Sequence, residues 1–167
     1  EYYGIDPSLT PEIVTNFTNQ SEVNQKGSEE TGIPVGVPIL YRAGDQPNNA
    51  LSLNIFNHGE VAATGGTSGV IYAVTNQLKS KESSRINHFA HVNYSKESTN
   101  IGKLLCINGA GIMYRWLRTN VGIDSYEEMN AKASKVSVGS DGVVIIPFGN
   151  GAERMLNNKN IGTHFSN

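Results

Sequence analysis

A chain of 167 residues is one domain or parts of two, and it is long enough to bury roughly 70% of its unfolded surface. Its 13 Lys and Arg against 15 Asp and Glu leave a net charge of −2, which supplies neither the basic footprint of a nucleic-acid binder nor a polybasic membrane anchor. The single cysteine, Cys106, excludes an internal disulfide framework and a multi-cysteine metal site and suits a reducing compartment such as the cytoplasm, and no apolar run approaches the ~20 residues of a membrane-spanning helix.

Glu1-Tyr2-Tyr3-Gly4-Ile5 reads as the last turn of a helix and residues 162–167 as part of a strand-to-helix connection, so a piece of a longer polypeptide is expected. Residues 1–32 are polar, punctuated by Asp6-Pro7 and Thr10-Pro11, with a short helix over 24–31 ending at Gly32. Residues 33–40 alternate apolar side chains with Gly and Pro, and Tyr41-Arg42-Ala43-Gly44-Asp45-Gln46 then delivers a carboxylate just past a strand end. Ala50, Leu51, Leu53 and Ile55 predict a short buried helix within 48–56. Residues 61–64 and 70–74 are apolar runs joined by Gly65-Gly66-Thr67-Ser68-Gly69, which predicts a β-hairpin with a glycine-rich tip.

Residues 77–85 have the composition of an exposed loop, and 86–94 return to strand-like alternation. Residues 104–107 predict a buried strand that passes through Asn108-Gly109-Ala110-Gly111 into a helix carrying Ile112, Trp116 and Leu117 on roughly one face, with Trp116 and Cys106 as core residues. Ser125 and Glu128 have the spacing of a capping box for a second helix running to about Lys135. Residues 142–148 predict a central strand that ends in Gly149-Asn150-Gly151. Strands interleaved with helices make the class α/β.

Loops beyond strand ends are where α/β proteins hold ligands, because the scaffold is rigid there while backbone groups stay open. The tip at 65–69 fits an anion cradle, with Thr67 and Ser68 hydroxyls as further donors, and it fits equally a hairpin turn that needs glycine for positive φ. Asp45 fits a base that takes the proton of an attacking hydroxyl, with Gln46 holding a neighbouring one, and it fits the N-cap of the following helix. Gly109 and Gly111 fit the close approach of a nucleotide or the close packing of helix on sheet. His88 and His91 fall on opposite faces with no carboxylate near in sequence, so no metal site is expected there, and Glu153-Arg154 reads as an exposed charge pair.

Taken in order, Tyr41 to Gln46, Gly65 to Val70, Phe89-x-His91, Gly111-Ile112-Met113-Tyr114-Arg115-Trp116-Leu117-Arg118 and Pro147-Phe148-Gly149-Asn150-Gly151-Ala152-Glu153-Arg154 resemble the FGGY carbohydrate kinases, most closely the xylulokinases. The resemblance implies an incomplete actin/hexokinase-like (ribonuclease H-like) fold, with the end of the sugar-binding domain in 1–58 and the first half of the ATP-binding domain in 59–167. It implies Asp45 as catalytic base, Gln46 as a sugar contact beside it, Gly66, Thr67 and Ser68 facing the ATP phosphates, and Gly111 and Arg115 near the nucleotide. The implied reaction is transfer of the γ-phosphoryl of MgATP to a sugar hydroxyl, D-xylulose giving D-xylulose 5-phosphate, in a cytoplasmic enzyme; the fragment alone is expected to be inactive, and the oligomeric state is left open, with a homodimer as the general prior for such proteins. The family's Gly-Glu-Arg-Thr-Pro reads here as Gly151-Ala152-Glu153-Arg154-Met155-Leu156, which leaves ribulose, gluconate and glycerol open as acceptors. A noncatalytic module of the same fold that responds to sugar or nucleotide is the alternative, with Asp45 arguing against it.

Overall fold

The computed structural model describes residues 4–167, so the helix end expected at the N-terminus falls mostly on residues 1–3, outside the described part, while Gly4 and Ile5 are not helical. Two short strands, β1 (Ser21–Glu22) and β2 (Pro38–Ile39), pair antiparallel and bracket helix α1 (Gln25–Thr31). As expected, the Asn24 side chain accepts from Gly27 N–H at its start, and Gly32 closes it in the left-handed conformation at φ 75°.

Helix α2 (Asp45–Ser52) begins earlier than the apolar pattern predicts. Pro47 is tolerated in a first turn, where its missing N–H has no intrahelical partner to lose, and Asp45 places a negative charge at the positive end of the helix. Its Ala50 is fully buried against the principal sheet.

That sheet has four antiparallel strands in the order β3-β4-β6-β5: β3 (Val61–Gly65), β4 (Gly69–Thr75), β5 (Asn87–Ala90) and β6 (Ile101–Ile107). The hairpin pairs Val61 with Ala73 through to Gly65 with Gly69, and β6 runs three residues longer at its start than the apolar run suggests. Period-2 alternation puts Val70, Tyr72 and Val74 on the buried face, where they meet Ala50, Ala62 and Leu104. Helices α3 (Ala110–Asn120) and α4 (Tyr126–Ala133) follow β6. Ser125 Oγ accepts from Glu128 N–H at the start of α4, but the Glu128 carboxylate turns to Lys132, 2.9 Å away, so only half of the predicted capping box forms.

Two expectations for the C-terminal part fail. Residues 142–148 do not form a central strand: β7 (Val144–Ile146) pairs only with β10 (His164–Ser166), and all three of its residues are exposed. Among the described residues, this apolar run has one neighbouring strand and stays exposed. Trp116 is 52% exposed rather than core, its ring tilted against Phe165 with centroids 6.4 Å apart. Between these strands, β8 (Ala152–Glu153) and β9 (Lys159–Asn160) form a short ladder. Among the described residues no helix is long and apolar enough to cross a membrane.

His91 is a satisfied core histidine that ties the segment after α2 to the sheet. Tyr72 Oη lies 3.0 Å from its Nδ1 and the Ile55 carbonyl 2.9 Å from its Nε2. Burial pushes the Tyr72 phenol up to about 12, which keeps it a donor. Nδ1 therefore accepts from the phenol and Nε2–H donates to Ile55, which fixes one neutral tautomer. Burial also lowers the His91 pKa, opposed by the Ile55 hydrogen bond and by Glu60. The unfolded chain then binds a proton that the folded chain refuses, so His91 contributes stability in full above the unfolded value of 6.5 and loses it as pH falls from there toward the folded pKa. Denaturant midpoints measured between pH 7.5 and 5 are expected to fall with pH, and the fall is expected to shrink in His91→Gln.

A Cβ at Gly102 would overlap the Tyr72 phenol. Gly102→Ala is expected to cost roughly 2–4 kcal/mol, from overpacking plus the loosened Tyr72–His91 bond, read as a lowered denaturation midpoint.

Candidate functional site

The glycine-rich tip does not use its glycines for positive φ: Gly65, Gly66 and Gly69 all lie outside that region, and a Cβ at Gly66 would meet nothing nearer than Ser68 O at 3.8 Å. The hairpin reading of the tip holds; the conformational reason for its glycines does not. Its carbonyls are turned to α3 instead. Gly111 N–H donates to Gly66 O at 3.0 Å and Ile112 N–H to Thr67 O at 3.1 Å, which satisfies two of the N–H groups a helix start leaves unpaired. Among the described residues the Thr67 and Ser68 hydroxyls make no hydrogen bond, and the tip itself is exposed at Gly66 and Thr67.

The close-packing reading of Gly109 and Gly111 is what the chain itself requires. A Cβ at Gly111 would overlap the Gly66 carbonyl, and one at Gly109 would overlap the Pro147 carbonyl. The tip, the start of α3 and the segment at Pro147 therefore meet backbone to backbone.

Gly66, Thr67, Gly111 and Arg115 line one cavity of about 280 Å³, together with Ile112 and Tyr126; Ser68 is next to the lining but not in it. Arg115 sits one turn along α3 from Gly111 and makes no ion pair among the described residues, whose three pairs are Lys26–Glu30, Glu82–Arg85 and Glu128–Lys132. Tyr126, which the sequence reading does not single out, opens α4. Its ring stacks on Tyr114 with centroids 5.5 Å apart, and the Arg118 guanidinium lies 4.4 Å over it. Tyr114 and Arg118 are four residues apart on α3, and that spacing ahead of a Ser-Tyr helix start is the signal that could have found it. A free hydroxyl at Thr67, a second at Ser68 beside the lining, and a guanidinium without an ion pair at one opening suit an anion of phosphate type.

Asp45 and Gln46 do not line this cavity. They form the exposed first turn of α2, whose N-cap is Gly44 with no side-chain cap bond, so Asp45 is not the cap that one reading of it expects. Asp45 Oδ1 accepts from Gln46 N–H at 2.8 Å, and Gln46 Nε2 lies 3.5 Å from Oδ2. Gly44 and Pro47 on either side line a separate cavity of about 500 Å³ with Arg42, Asn16 and His91. The carboxylate is solvent-facing, held by its neighbour and without a cation partner among the described residues.

Glu153 and Arg154 are not an exposed pair. Glu153 is fully buried with both carboxylate oxygens 3.2 Å from Asn108 N, while Arg154 is exposed and donates to the Ser84 and Ile86 carbonyls at 2.9 and 3.4 Å. Glu153 ends β8 against the turn before α3, and Arg154 opens the single 3₁₀ turn that follows (Arg154–Leu156), where it is exposed.

No family model matches the chain. It is 30% identical over 155 residues to a gluconokinase of Bacillus subtilis (strain 168), covering 84% of this chain and 29% of the relative. It is 22% identical over 145 residues to a xylulose kinase of Staphylococcus xylosus, covering 86% and 29%. The crystal structure of xylulose kinase from Rhodospirillum rubrum superposes with a TM-score of 0.79 at 23% identity, over 97% of this chain and 32% of that one. The chain thus spans less than a third of the length of the proteins it matches.

Proposed function

Since the chain belongs to the FGGY carbohydrate kinases and carries part of their actin/hexokinase-like fold, we propose that it forms the end of the sugar-binding domain (residues 1–58) and the first half of the ATP-side domain (59–167) of an ATP-dependent sugar kinase. Asp45 is the general base that takes the proton of the acceptor hydroxyl as its oxygen attacks the γ-phosphorus, and Gln46 holds a neighbouring hydroxyl. Gly66, Thr67 and Ser68 face the phosphates, with the Thr67 and Ser68 hydroxyls as donors, Gly111 lets the tip close on α3, and Arg115 supplies a positive charge at the same opening. The observation that carries this reading is the convergence of Gly66, Thr67, Gly111 and Arg115 on one cavity, beside a tip in which neither φ nor packing demands a glycine at 65 or 66.

Mg²⁺ would neutralise phosphate charge when it arrives with ATP. The cavity lining itself holds no carboxylate, so in this reading the ion would be held through the phosphates. The 167-residue chain is expected to be inactive by itself; the full-length polypeptide acts in the cytoplasm, as a homodimer. D-Xylulose, giving D-xylulose 5-phosphate, is the acceptor the ordered motifs imply. D-Gluconate is the second reading, favoured by 30% identity to a gluconokinase against 22% to a xylulose kinase. Coupled ADP release by the full-length polypeptide with MgATP and a panel of D-xylulose, D-ribulose, D-gluconate and glycerol tests both. Turnover with one of them names the acceptor, and ATP binding without turnover on any supports the noncatalytic module instead.

A further inference from the structure

Glu153 is buried without a cation. It is fully inaccessible, no Lys, Arg or His lies within ion-pair distance among the described residues, and its one donor is the backbone N–H of Asn108, 3.2 Å from both oxygens. A buried anion of this kind costs stability unless something holds it, so its position is informative. Asn108 immediately precedes Gly109, where α3 begins and where the partial positive charge of the helix lies.

Every polar group of Asn108 is engaged, and three of the four bonds run to residues 150–153. Its N–H donates to Glu153, its Nδ2 to the Ala152 carbonyl at 3.0 Å, and its carbonyl accepts from Asn150 Nδ2 at 3.3 Å, while Oδ1 accepts from the Cys106 thiol at 3.6 Å. Two and three residues beyond Gly109, the N–H groups of Gly111 and Ile112 hold the carbonyls of Gly66 and Thr67. The covalent turn 108–112 is therefore pinned at both ends, by the Glu153 carboxylate at Asn108 and by the Gly66 and Thr67 carbonyls at Gly111 and Ile112, so that the carboxylate and the tip that lines the cavity are joined through four peptide units.

We propose that Glu153 is a positioning residue for the nucleotide: it fixes the turn at Asn108 and through it the placement of the Gly66-Thr67 tip and of Arg115 around the phosphates. The role rests on the sugar-kinase reading of that cavity. It touches no substrate and acts through Asn108. A carboxylate is the suitable group because both of its oxygens accept, whereas an amide turns a donor toward the same N–H.

The test compares Glu153→Gln with the wild-type full-length polypeptide by calorimetric titration of MgATP, steady-state kinetics in ATP and in sugar, thermal denaturation without ligand, and amide exchange. The isosteric change is expected to raise the MgATP dissociation constant about tenfold, with the sugar KM moving less than about twofold. Amides 108–112 are expected to lose protection. Wild-type MgATP affinity in the variant overturns the proposal, as does a loss of ATP and sugar affinity in parallel with a large drop in melting temperature, which is what a merely structural role gives. If the wild type binds MgATP and phosphorylates no sugar, the kinase reading fails while the titration and amide exchange still decide the role of Glu153.

Discussion

Asp45→Asn in the full-length polypeptide is expected to lower kcat by about 10²–10⁴-fold, the range a positioned general base supplies, with MgATP affinity and folding unchanged. The sequence-local geometry supports the separation of effects. Asp45 sits on the exposed first turn of α2 and makes its bonds only to Gln46, so its amide replacement leaves the buried Ala50 and Pro47 contacts in place. The side chain changes from an acceptor of protons to a group that cannot take one at neutral pH. Kinetics at saturating ATP, with circular dichroism as the control, check it; undiminished turnover removes Asp45 from the chemistry.

Gly111→Ala is expected to weaken MgATP binding by about 10²-fold, since a displacement of about 1 Å in a positioning element has effects of that size. Its methyl would occupy the space of the Gly66 carbonyl, so the hairpin tip and the start of α3 must separate, breaking the Gly111–Gly66 and Ile112–Thr67 hydrogen bonds together. Both partners are backbone, and neither can rotate aside as a side chain would. Titration with MgATP measures the loss, while sugar affinity is expected to stay as before. An alanine variant that binds MgATP at wild-type strength would mean that the tip does not contact nucleotide.

Much of this arrangement is legible in the order of residues. The hairpin with its glycine tip, the strand that runs through Asn108-Gly109-Ala110-Gly111 into a helix, the Asn24-to-Gly32 helix and the Ser125 cap are local patterns, set by periodicity and by residues that satisfy orphan N–H groups. What was not legible depends on partners distant in sequence. Glu153 reads as exposed because it adjoins Arg154, and only the meeting of β8 with the 108–111 turn, 45 residues away, buries it. Residues 142–148 read as a central strand because they are apolar, yet only 144–146 form a strand and, among the described residues, the only one beside it is at 164–166. The reason for Gly111 is a carbonyl 45 residues earlier, and the satisfaction of His91 needs Tyr72 and Ile55. Tyr126 joins the cavity through the packing of two helices, which a single-helix pattern does not show.

The most direct measurement is phosphorus NMR of the full-length polypeptide with MgATP and D-xylulose or D-gluconate. One-to-one appearance of ADP and a sugar phosphate, absent without sugar, is the predicted result. ATP consumed only to inorganic phosphate, or no consumption with either acceptor while MgATP still binds, would contradict phosphoryl transfer from the Gly66–Gly111 cavity to a sugar deprotonated by Asp45.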